Sequence, residues 1–242
     1  MQTQERHAHS YPLATIATLV IALLVAVTSI AGLAANIYPT EEMQQAFLAN
    51  DLVNLIIGLP ILIGTLWSAR RGHRVGLLFW PGALFFVLYN ALVYLFAMPL
   101  DGWFVLYLLQ VTLCVYTLAG LLASIDAGAI MQHLRGLVPE RWIGGALAAL
   151  GGLFLLRSVG VIVDAGINQT ALPVSDRGLL VADFVIGAAW LIGGMLLWRR
   201  MAAGYLVGPG LLFQGAMLFL GLILFLILQP LVTDVPFALV DL

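Results

Sequence analysis

The sequence predicts an all-α integral membrane protein with seven transmembrane helices. Of its 242 residues, 62% are hydrophobic and 9% are charged, and the mean hydropathy is +1.06. A soluble domain carries roughly 25% charged residues, so no soluble fold could cover this much apolar surface. Seven apolar segments reach the roughly 20 residues that a helix needs to cross the hydrocarbon core. No segment of the sequence alternates with period two, as the strands of a membrane barrel do.

Short loops separate the seven segments, and none of these loops is long enough to hold a globular domain. Residues 1–242 are therefore predicted to form one polytopic membrane domain. The first segment is longer than the roughly 7–15 residues of an ordinary signal-peptide core, which favours an uncleaved helix. The predicted spans are Tyr11–Ala35, Asp51–Ala69, Val75–Met98, Gly102–Ile125, Trp142–Asp164, Gly178–Trp198 and Gly204–Leu228.

Residue spacing gives several of these helices an inward face. Pro60, Pro81 and Pro209 are expected to kink or loosen the second, third and seventh helices. Small residues in the fifth helix, Gly144 and Gly151 among them, should let a neighbouring helix approach closely. Three helices carry a stripe of polar or small residues at helical spacing, which a bundle helix turns inward. These stripes are Asp51, Asn54, Gly58 and Thr65 in the second helix, Tyr107, Gln110, Cys114 and Thr117 in the fourth, and Asp183, Gly187, Trp190 and Gly194 in the sixth.

The arginines indicate which way the chain crosses the membrane. Most of the arginines fall in loops on one side of the membrane. The loops on the other side are acidic, with Asp51 placed at the outer start of the second helix and Arg177 as their one base. Because arginine-rich loops stay in the cytoplasm, the N-terminus is predicted inside and the C-terminus outside, in the cytoplasmic (inner) membrane of a bacterium. Tyr38 and Trp103 would mark the outer interface. The arginines assigned to the cytoplasmic side are Arg6, Arg70, Arg71, Arg74, Arg135, Arg141, Arg199 and Arg200.

An internal repeat is the second architectural prediction. Residues 51–99 match a segment 129 residues further along the chain, so that Asn54 falls on Asp183. After one residue is dropped, the Pro-Gly step at Pro81 falls on the Pro-Gly step at Pro209. One helix between the two units gives both the same orientation, which makes the repeat parallel. The predicted units are 11–100 and 141–231, with a linker helix at 102–125.

This order of three helices, one helix and three helices resembles the architecture of the small sugar transporters of the SWEET class. The sequence has no matching proline-glutamine loop motif, and its predicted orientation is the opposite one. The resemblance is therefore one of architecture, and we transfer neither a residue role nor a family membership from it.

Polar residues inside a span are costly and usually face the bundle interior, so they mark candidate sites. Arg157 and Asp183 are the charges placed deepest, on consecutive helices at similar depth. We expect them to pair, because an unpaired buried charge is much less favourable. The alternative role for the pair is purely structural, to fix the fifth helix against the sixth. The predicted ligand-binding residues, all in the outer half, are Asn54, Asn90, Tyr94, Tyr107, Gln110, Arg157 and Asp183.

Several classes of chemistry find no support among the residues. The chain has no lysine, which excludes a Schiff base. Cys114 is the sole cysteine, so neither an internal disulfide nor a thiolate metal cluster can form. The four histidines lie outside the predicted spans, so no zinc site and no Ser-His-acid triad is expected. We predict no catalytic residue, no metal and no cofactor, and the lack of a basic stripe argues against nucleic acid as a partner.

The leading hypothesis is a small membrane carrier or ligand-binding protein with an outward-opening polar pocket for a small polar or anionic ligand. Arg157 would orient the negative group of that ligand. One alternative is an intramembrane enzyme that acts on a lipid or isoprenoid, with Asp183 as acid or base. Another is a structural or assembly subunit without a ligand. Membrane lipids are expected partners in every case, and the sequence leaves a homo-oligomer open.

Overall fold

A computed structural model describes residues 11–35 and 37–235, and every regular element in these ranges is helical. α2, the π-helical turn after it and α3 run on without a break as one helix. In chain order the elements are α1 (Pro12–Ala34), α2 (Glu41–Val53), the π-helical turn (Asn54–Gly58), α3 (Leu59–Arg70), α4 (Arg74–Ala97), α5 (Gly102–Ser124), α6 (Ala127–Leu134), α7 (Glu140–Asn168), α8 (Val174–Trp198) and α9 (Ala202–Val232).

Seven of these helical stretches are long and apolar enough to cross a membrane: α1, the continuous α2–α3 helix, α4, α5, α7, α8 and α9. Many large apolar side chains remain exposed on their outer faces, such as Leu13 and Ile16 on α1 and Leu153 and Leu156 on α7. Exposed apolar faces of this extent suit a hydrocarbon surrounding rather than water. For the described residues, the prediction of an all-helical protein with seven candidate spans is confirmed.

The second span begins ten residues earlier than predicted, at Glu41 rather than Asp51. The Thr40 side chain caps this helix by accepting a hydrogen bond from the Met43 N–H at 3.3 Å, and acidic residues in the first turn favour the positive end of the helix dipole. The first ten residues are too polar to be recognised as an apolar segment, although Met43 and Phe47 are buried. The placement of Asp51 at the outer start of the second helix is therefore wrong, because ten residues of that helix precede it.

α4 is the central helix of the bundle. It packs against α3, α5, α8 and α9, and most of its residues are buried. Its crossing with α9 is tight, because a Cβ on Gly82 would lie 2.3 Å from the carbonyl oxygen of Gly210. Only residues without a side chain permit such an approach, so the two backbones touch at this point.

α7 is held to the bundle mainly through α8. Gly144 and Gly151 of α7 lie against Gly194 and Gly187 of α8, in that order. A Cβ on Gly151 would lie 2.5 Å from the carbonyl oxygen of Gly187. The close approach predicted for the fifth helix is therefore present, and α8 is the helix that it approaches.

Side-chain contacts join the helix ends at each end of the bundle. At one end, Glu140 accepts a hydrogen bond from the Tyr205 hydroxyl at 2.6 Å and lies 3.6 Å from Arg200. The loops here carry most of the arginines, and we name this the arginine-rich end. At the other end, the Ser175 hydroxyl donates to Glu42 at 2.9 Å. We name this the acidic end, and the two cavities described below lie in the half of the bundle next to it.

The π-helical turn precedes Pro60. Within the turn the Leu59 N–H donates to the Asn54 carbonyl, one residue further back than in an α-helix. Proline lacks an N–H and its ring collides with the carbonyl four residues earlier, so the wider turn accommodates Pro60 without ending the helix. Single π-helical turns often occur at functional sites, and Asn54 is one of the predicted site residues.

Candidate functional site

A cavity of about 530 Å³ lies between α2, α4, α7, α8 and α9. We name it the larger cavity. Small-molecule sites in proteins enclose roughly 300–1,000 Å³, so this volume suits a small ligand. The polar part of its wall consists of Asn50, Tyr89, Asn90, Arg157 and Asp183, with Ser175 and Asp176 nearer the acidic end.

Asp183 of α8 is the centre of this polar wall. Its carboxylate forms an ion pair with the Arg157 guanidinium of α7. The Tyr89 hydroxyl of α4 donates to the same carboxylate at 2.9 Å. The pairing expected from the sequence is therefore present, and we name these three residues the Asp183 cluster.

The two charges of the pair differ in exposure. The accessible fraction is 59% for the Arg157 side chain and 5% for that of Asp183. The pair is consequently not enclosed in dry protein. Among the described residues, Arg157 donates hydrogen bonds through Nη1 alone. A guanidinium has five N–H donors, so most of the donors of Arg157 are available to a molecule in the larger cavity.

The remainder of the larger cavity is apolar. Phe86, Phe154, Leu218 and Phe225 contribute to this part of the wall. α7 and α9 both line the cavity but hardly pack against each other. The cavity therefore occupies the gap between these two helices. Phe219 of α9 also lines it and is exposed on the bundle surface. The larger cavity thus combines a few polar groups with an apolar wall, as ligand sites usually do.

A second buried carboxylate belongs to Asp51 of α2, a residue only 1% exposed. One of its oxygens accepts a hydrogen bond from the Tyr38 hydroxyl at 2.5 Å, and the other accepts one from the Tyr94 hydroxyl at 2.8 Å. Gly32 of α1 makes room for this carboxylate, because a Cβ there would lie 1.9 Å from an Asp51 oxygen. We name Tyr38, Asp51 and Tyr94 the Asp51 cluster.

Tyr38 lies in the connection between α1 and α2 and is buried, so the prediction that it anchors the outer interface is wrong. Burial raises the pKa of its phenol well above the ordinary value, and the Tyr94 and Asp51 side chains raise it further. The hydroxyl therefore keeps its proton and remains a donor to Asp51. Phe47 packs against the Tyr38 ring at 5.4 Å between centroids. The hydrogen bond from the Tyr38 hydroxyl to the buried Asp51 carboxylate holds Tyr38 against the bundle.

Hydrogen bonds connect the Asp51 cluster to the larger cavity. The Asn50 amide donates to Asn90 Oδ1 at 3.1 Å and to the Tyr94 hydroxyl at 3.0 Å. Asn90 donates in turn to the carbonyl of Phe86, one helical turn earlier, at 3.0 Å. Both asparagines line the larger cavity. Asn50 is therefore the link between that cavity and the residues around Asp51.

A much smaller cavity, of about 10 Å³, is enclosed by α1, the π-helical turn, α4 and α5. Ser29, Asn54 and Asn90 contribute polar groups to its wall, as do Tyr107 and Gln110. Among the described residues, the Tyr107 hydroxyl and Gln110 Oε1 have no hydrogen-bond partner. We name this space the small cavity. Its size corresponds to about one water molecule.

The predicted site residues lie in one half of the bundle, yet they do not surround one pocket. α4 packs against neighbours on more than one side, and its polar residues therefore line two different cavities. The larger cavity is bordered by Asn90, Arg157 and Asp183, and the small cavity by Asn54, Asn90, Tyr94, Tyr107 and Gln110.

Tyr38, Asp51 and Tyr89 complete the two clusters and were not among the predicted site residues. The helix-start signal of Thr40 followed by acidic residues would have begun the second helix ten residues earlier and placed Asp51 deeper within it. Tyr89 precedes Asn90 directly, and neighbouring residues of a helix point about 100° apart, so spacing gave no reason to select it. For Tyr38 we find no signal in the sequence.

The chain matches no protein-family model, no curated protein and no solved structure. Its function is therefore inferred from the chemistry of these two cavities. The larger cavity offers a guanidinium with free donors beside an apolar wall. The small cavity offers oxygen atoms, two of them without partners, next to a buried carboxylate.

Proposed function

We propose that the protein is a small membrane carrier or ligand-binding protein that takes an anionic amphiphilic molecule in the larger cavity. The observation that carries this proposal is the state of Arg157, which pairs with Asp183 through one nitrogen and leaves its other donors free. A carboxylate or phosphate matches those donors best, since a guanidinium can bind either through two parallel hydrogen bonds.

The apolar wall indicates what accompanies the anionic group. Phe86, Phe154 and Leu218 offer no polar partner, so the rest of the ligand is expected to be hydrocarbon. The side between α7 and α9, where Phe219 is exposed, would admit such a molecule from the surrounding lipid. In this proposal, Asp183 and Tyr89 hold the guanidinium in place rather than contact the ligand.

We further propose that the acidic end faces the outside of the cytoplasmic membrane, so that the larger cavity lies in the outer leaflet. This orientation is supported by the distribution of arginines, because loops rich in arginine usually stay on the cytoplasmic side. Arg6, which contributed to the same prediction, lies outside the described residues. The arginines at the arginine-rich end are Arg70, Arg71, Arg74, Arg135, Arg141, Arg199 and Arg200.

Cysteine labelling in intact cells tests this orientation on a Cys114→Ala background. Asn168→Cys should react with an impermeant maleimide added outside, and His73→Cys should react only after the membrane is opened. His73 is preferred to its neighbour Gly72, whose φ of +80° would strain any other residue. The reversed labelling pattern would refute the proposed orientation.

We also propose that helices 1–3 and 5–7 of the seven spans are parallel repeat units. Two features support this. Gly82 and Gly210, which are equivalent in the proposed register, lie against each other, as residues on a two-fold axis would. α4 packs on α8, and its equivalent α9 packs on α2. An experimental structure in which the units superpose only in another register would refute the repeat.

The ligand proposal is tested by thermal unfolding of the full chain in lipid nanodiscs. The probes are dodecanoate and dodecyl phosphate, with dodecanol as the uncharged comparison. We expect the two anions to raise the Tm in a saturable manner and dodecanol to leave it nearly unchanged. The double variant Arg157→Met/Asp183→Leu should fold and lose the response to the anions, because the donors are gone and no charge is stranded.

Arg177→Met is the matched control, since Arg177 is exposed at the same end and its Nε donates to the Leu172 carbonyl. It should keep the response to the anions. If the double variant responds as the unchanged protein does, Arg157 is no part of a binding site and the pair is structural. Recovery of chemically altered probe, detected by mass spectrometry, would instead favour the enzyme that the sequence left as an alternative.

A further inference from the structure

In the part of the chain that the structure describes, Asp51 has no cationic side chain within ion-pair distance. Among the described residues, the ion pairs are Arg157 with Asp183 and Arg200 with Glu140. A carboxylate that is 1% exposed, in a bundle surrounded by lipid, is costly unless a positive charge balances it. The two tyrosine hydroxyls that donate to Asp51 reduce this cost but add no charge. No side chain among the described residues supplies that positive charge, which leaves a bound cation or a proton to supply it.

The small cavity lies directly beside this carboxylate. Tyr94 donates to Asp51 and also lines the small cavity. Tyr107, which lines it as well, stacks on the Tyr94 ring at 4.9 Å between centroids. Tyr94 therefore connects the Asp51 carboxylate to the wall of the small cavity.

The wall of the small cavity includes two residues whose side-chain oxygens meet no donor from residues 11–35 and 37–235. Tyr107 is 2% exposed and Gln110 is 3% exposed, and neither the Tyr107 hydroxyl nor Gln110 Oε1 has a hydrogen-bond partner among the described residues. Buried polar atoms in native proteins are almost always satisfied, so such a pair implies a bound species between them. Oxygen lone pairs directed at a shared space are the ligands of a hard cation.

We propose that the small cavity binds one sodium ion, coordinated by Gln110 Oε1 and the Tyr107 hydroxyl oxygen and balanced by the Asp51 carboxylate. A volume of about 10 Å³ holds one water-sized particle, which suits a bare monovalent ion. A single carboxylate balances a single charge. A divalent metal is disfavoured, since no group of three His, Cys, Asp or Glu side chains occurs in the described part of the chain.

Sodium sites in membrane carriers often lie where a spanning helix is irregular, because such a segment can offer oxygen ligands at mid-depth. Here the π-helical turn begins at Asn54, whose side chain lines the small cavity. Sodium binding at this position requires no ligand in the larger cavity, although Asn90 borders both. It can therefore be tested separately from the ligand proposal.

The first measurement is thermal unfolding of the purified full chain at constant pH, in which choline chloride is replaced stepwise by sodium chloride at constant ionic strength. We expect a saturable rise in Tm of about 2–4 °C or more. Equilibrium binding of radioactive sodium should give one ion per chain. Gln110→Leu and Tyr107→Phe should each weaken sodium binding at least tenfold, and Asp51→Asn should abolish it.

Thr117→Val is the matched control, since Thr117 is buried on the same face of α5 but does not line the small cavity. It should keep the sodium response in full. A Tm that does not depend on sodium would overturn the proposal, as would an equal response in Gln110→Leu and Tyr107→Phe. Stabilisation by lowered pH alone, without a sodium effect, would assign the balancing charge to a proton and overturn it too.

Discussion

Asp51 and Asp183 lie in the same half of the bundle, and both are nearly inaccessible. Asp183 is balanced by Arg157, a cation of the same chain whose side chain is largely exposed. Asp51 receives hydrogen bonds from Tyr38 and Tyr94 and forms no ion pair within the described ranges. One carboxylate is thus paired with a cation of the protein, and the other is held by neutral hydroxyl donors.

This difference in surroundings determines what size of molecule the Asp183 cluster and the Asp51 cluster can each contact. The Asp183 cluster borders the larger cavity and has spare donors, so a molecule of ligand size can compete for its guanidinium. The Asp51 carboxylate is buried between Gly32 and the tyrosines that donate to it, and the cavity next to it holds about one water-sized particle. Mutations that affect one cluster and spare the other can separate these roles.

The largest effect is expected from Asp51→Ala. It leaves the hydroxyls of Tyr38 and Tyr94 buried without an acceptor, at about 1–3 kcal/mol each. The free energy of unfolding, measured by titration with a denaturing detergent, should fall by about 2–5 kcal/mol. Adding Tyr38→Phe and Tyr94→Phe should recover part of this loss. A loss below about 1 kcal/mol would show that the Asp51 cluster is already hydrated.

An intermediate effect is expected from Gly151→Ala, since its Cβ would lie 2.4 Å from the Leu191 nitrogen. Overpacking of this kind costs about 1–3 kcal/mol of unfolding free energy and should move α7 away from α8. The response to dodecanoate should then be lost while the response to sodium remains. The neighbouring control Gly152→Ala has nothing within 4 Å of its Cβ and should be nearly neutral. Loss of both responses would mean that the two clusters are not independent.

The smallest effect on stability is expected from Asp183→Ala. The Arg157 guanidinium that it strands is exposed, and the Tyr89 hydroxyl that also loses its acceptor borders the larger cavity. Both groups can be hydrated, so the unfolding free energy should fall by only about 1 kcal/mol or less. The same denaturant titration measures it. A loss of about 3–5 kcal/mol, as for a broken dry ion pair, would mean that Arg157 is enclosed when the protein is in its membrane.

The apolar composition and the spacing of charges were sufficient to predict seven candidate spans, because hydrocarbon requires long helices with their backbone groups satisfied internally. The second span shows where this signal fails. Residues 41–50 are polar, yet they form the first turns of α2, because Met43 and Phe47 pack inward and Thr40 caps the helix. A search for apolar segments therefore began the helix at Asp51 and placed that carboxylate at the outer end of the span rather than within it.

The sequence by itself determined that Arg157 and Asp183 would pair, because two deep charges on consecutive helices at similar depth have few other ways to be neutralised. Only the tertiary structure decided that the predicted polar residues divide between two cavities. It also decided that Tyr89 and Tyr38 join them, and that Arg157 stays exposed. The physical reason is that helical periodicity fixes the angle of a side chain around its own helix, whereas the helix it faces is set by packing between distant segments.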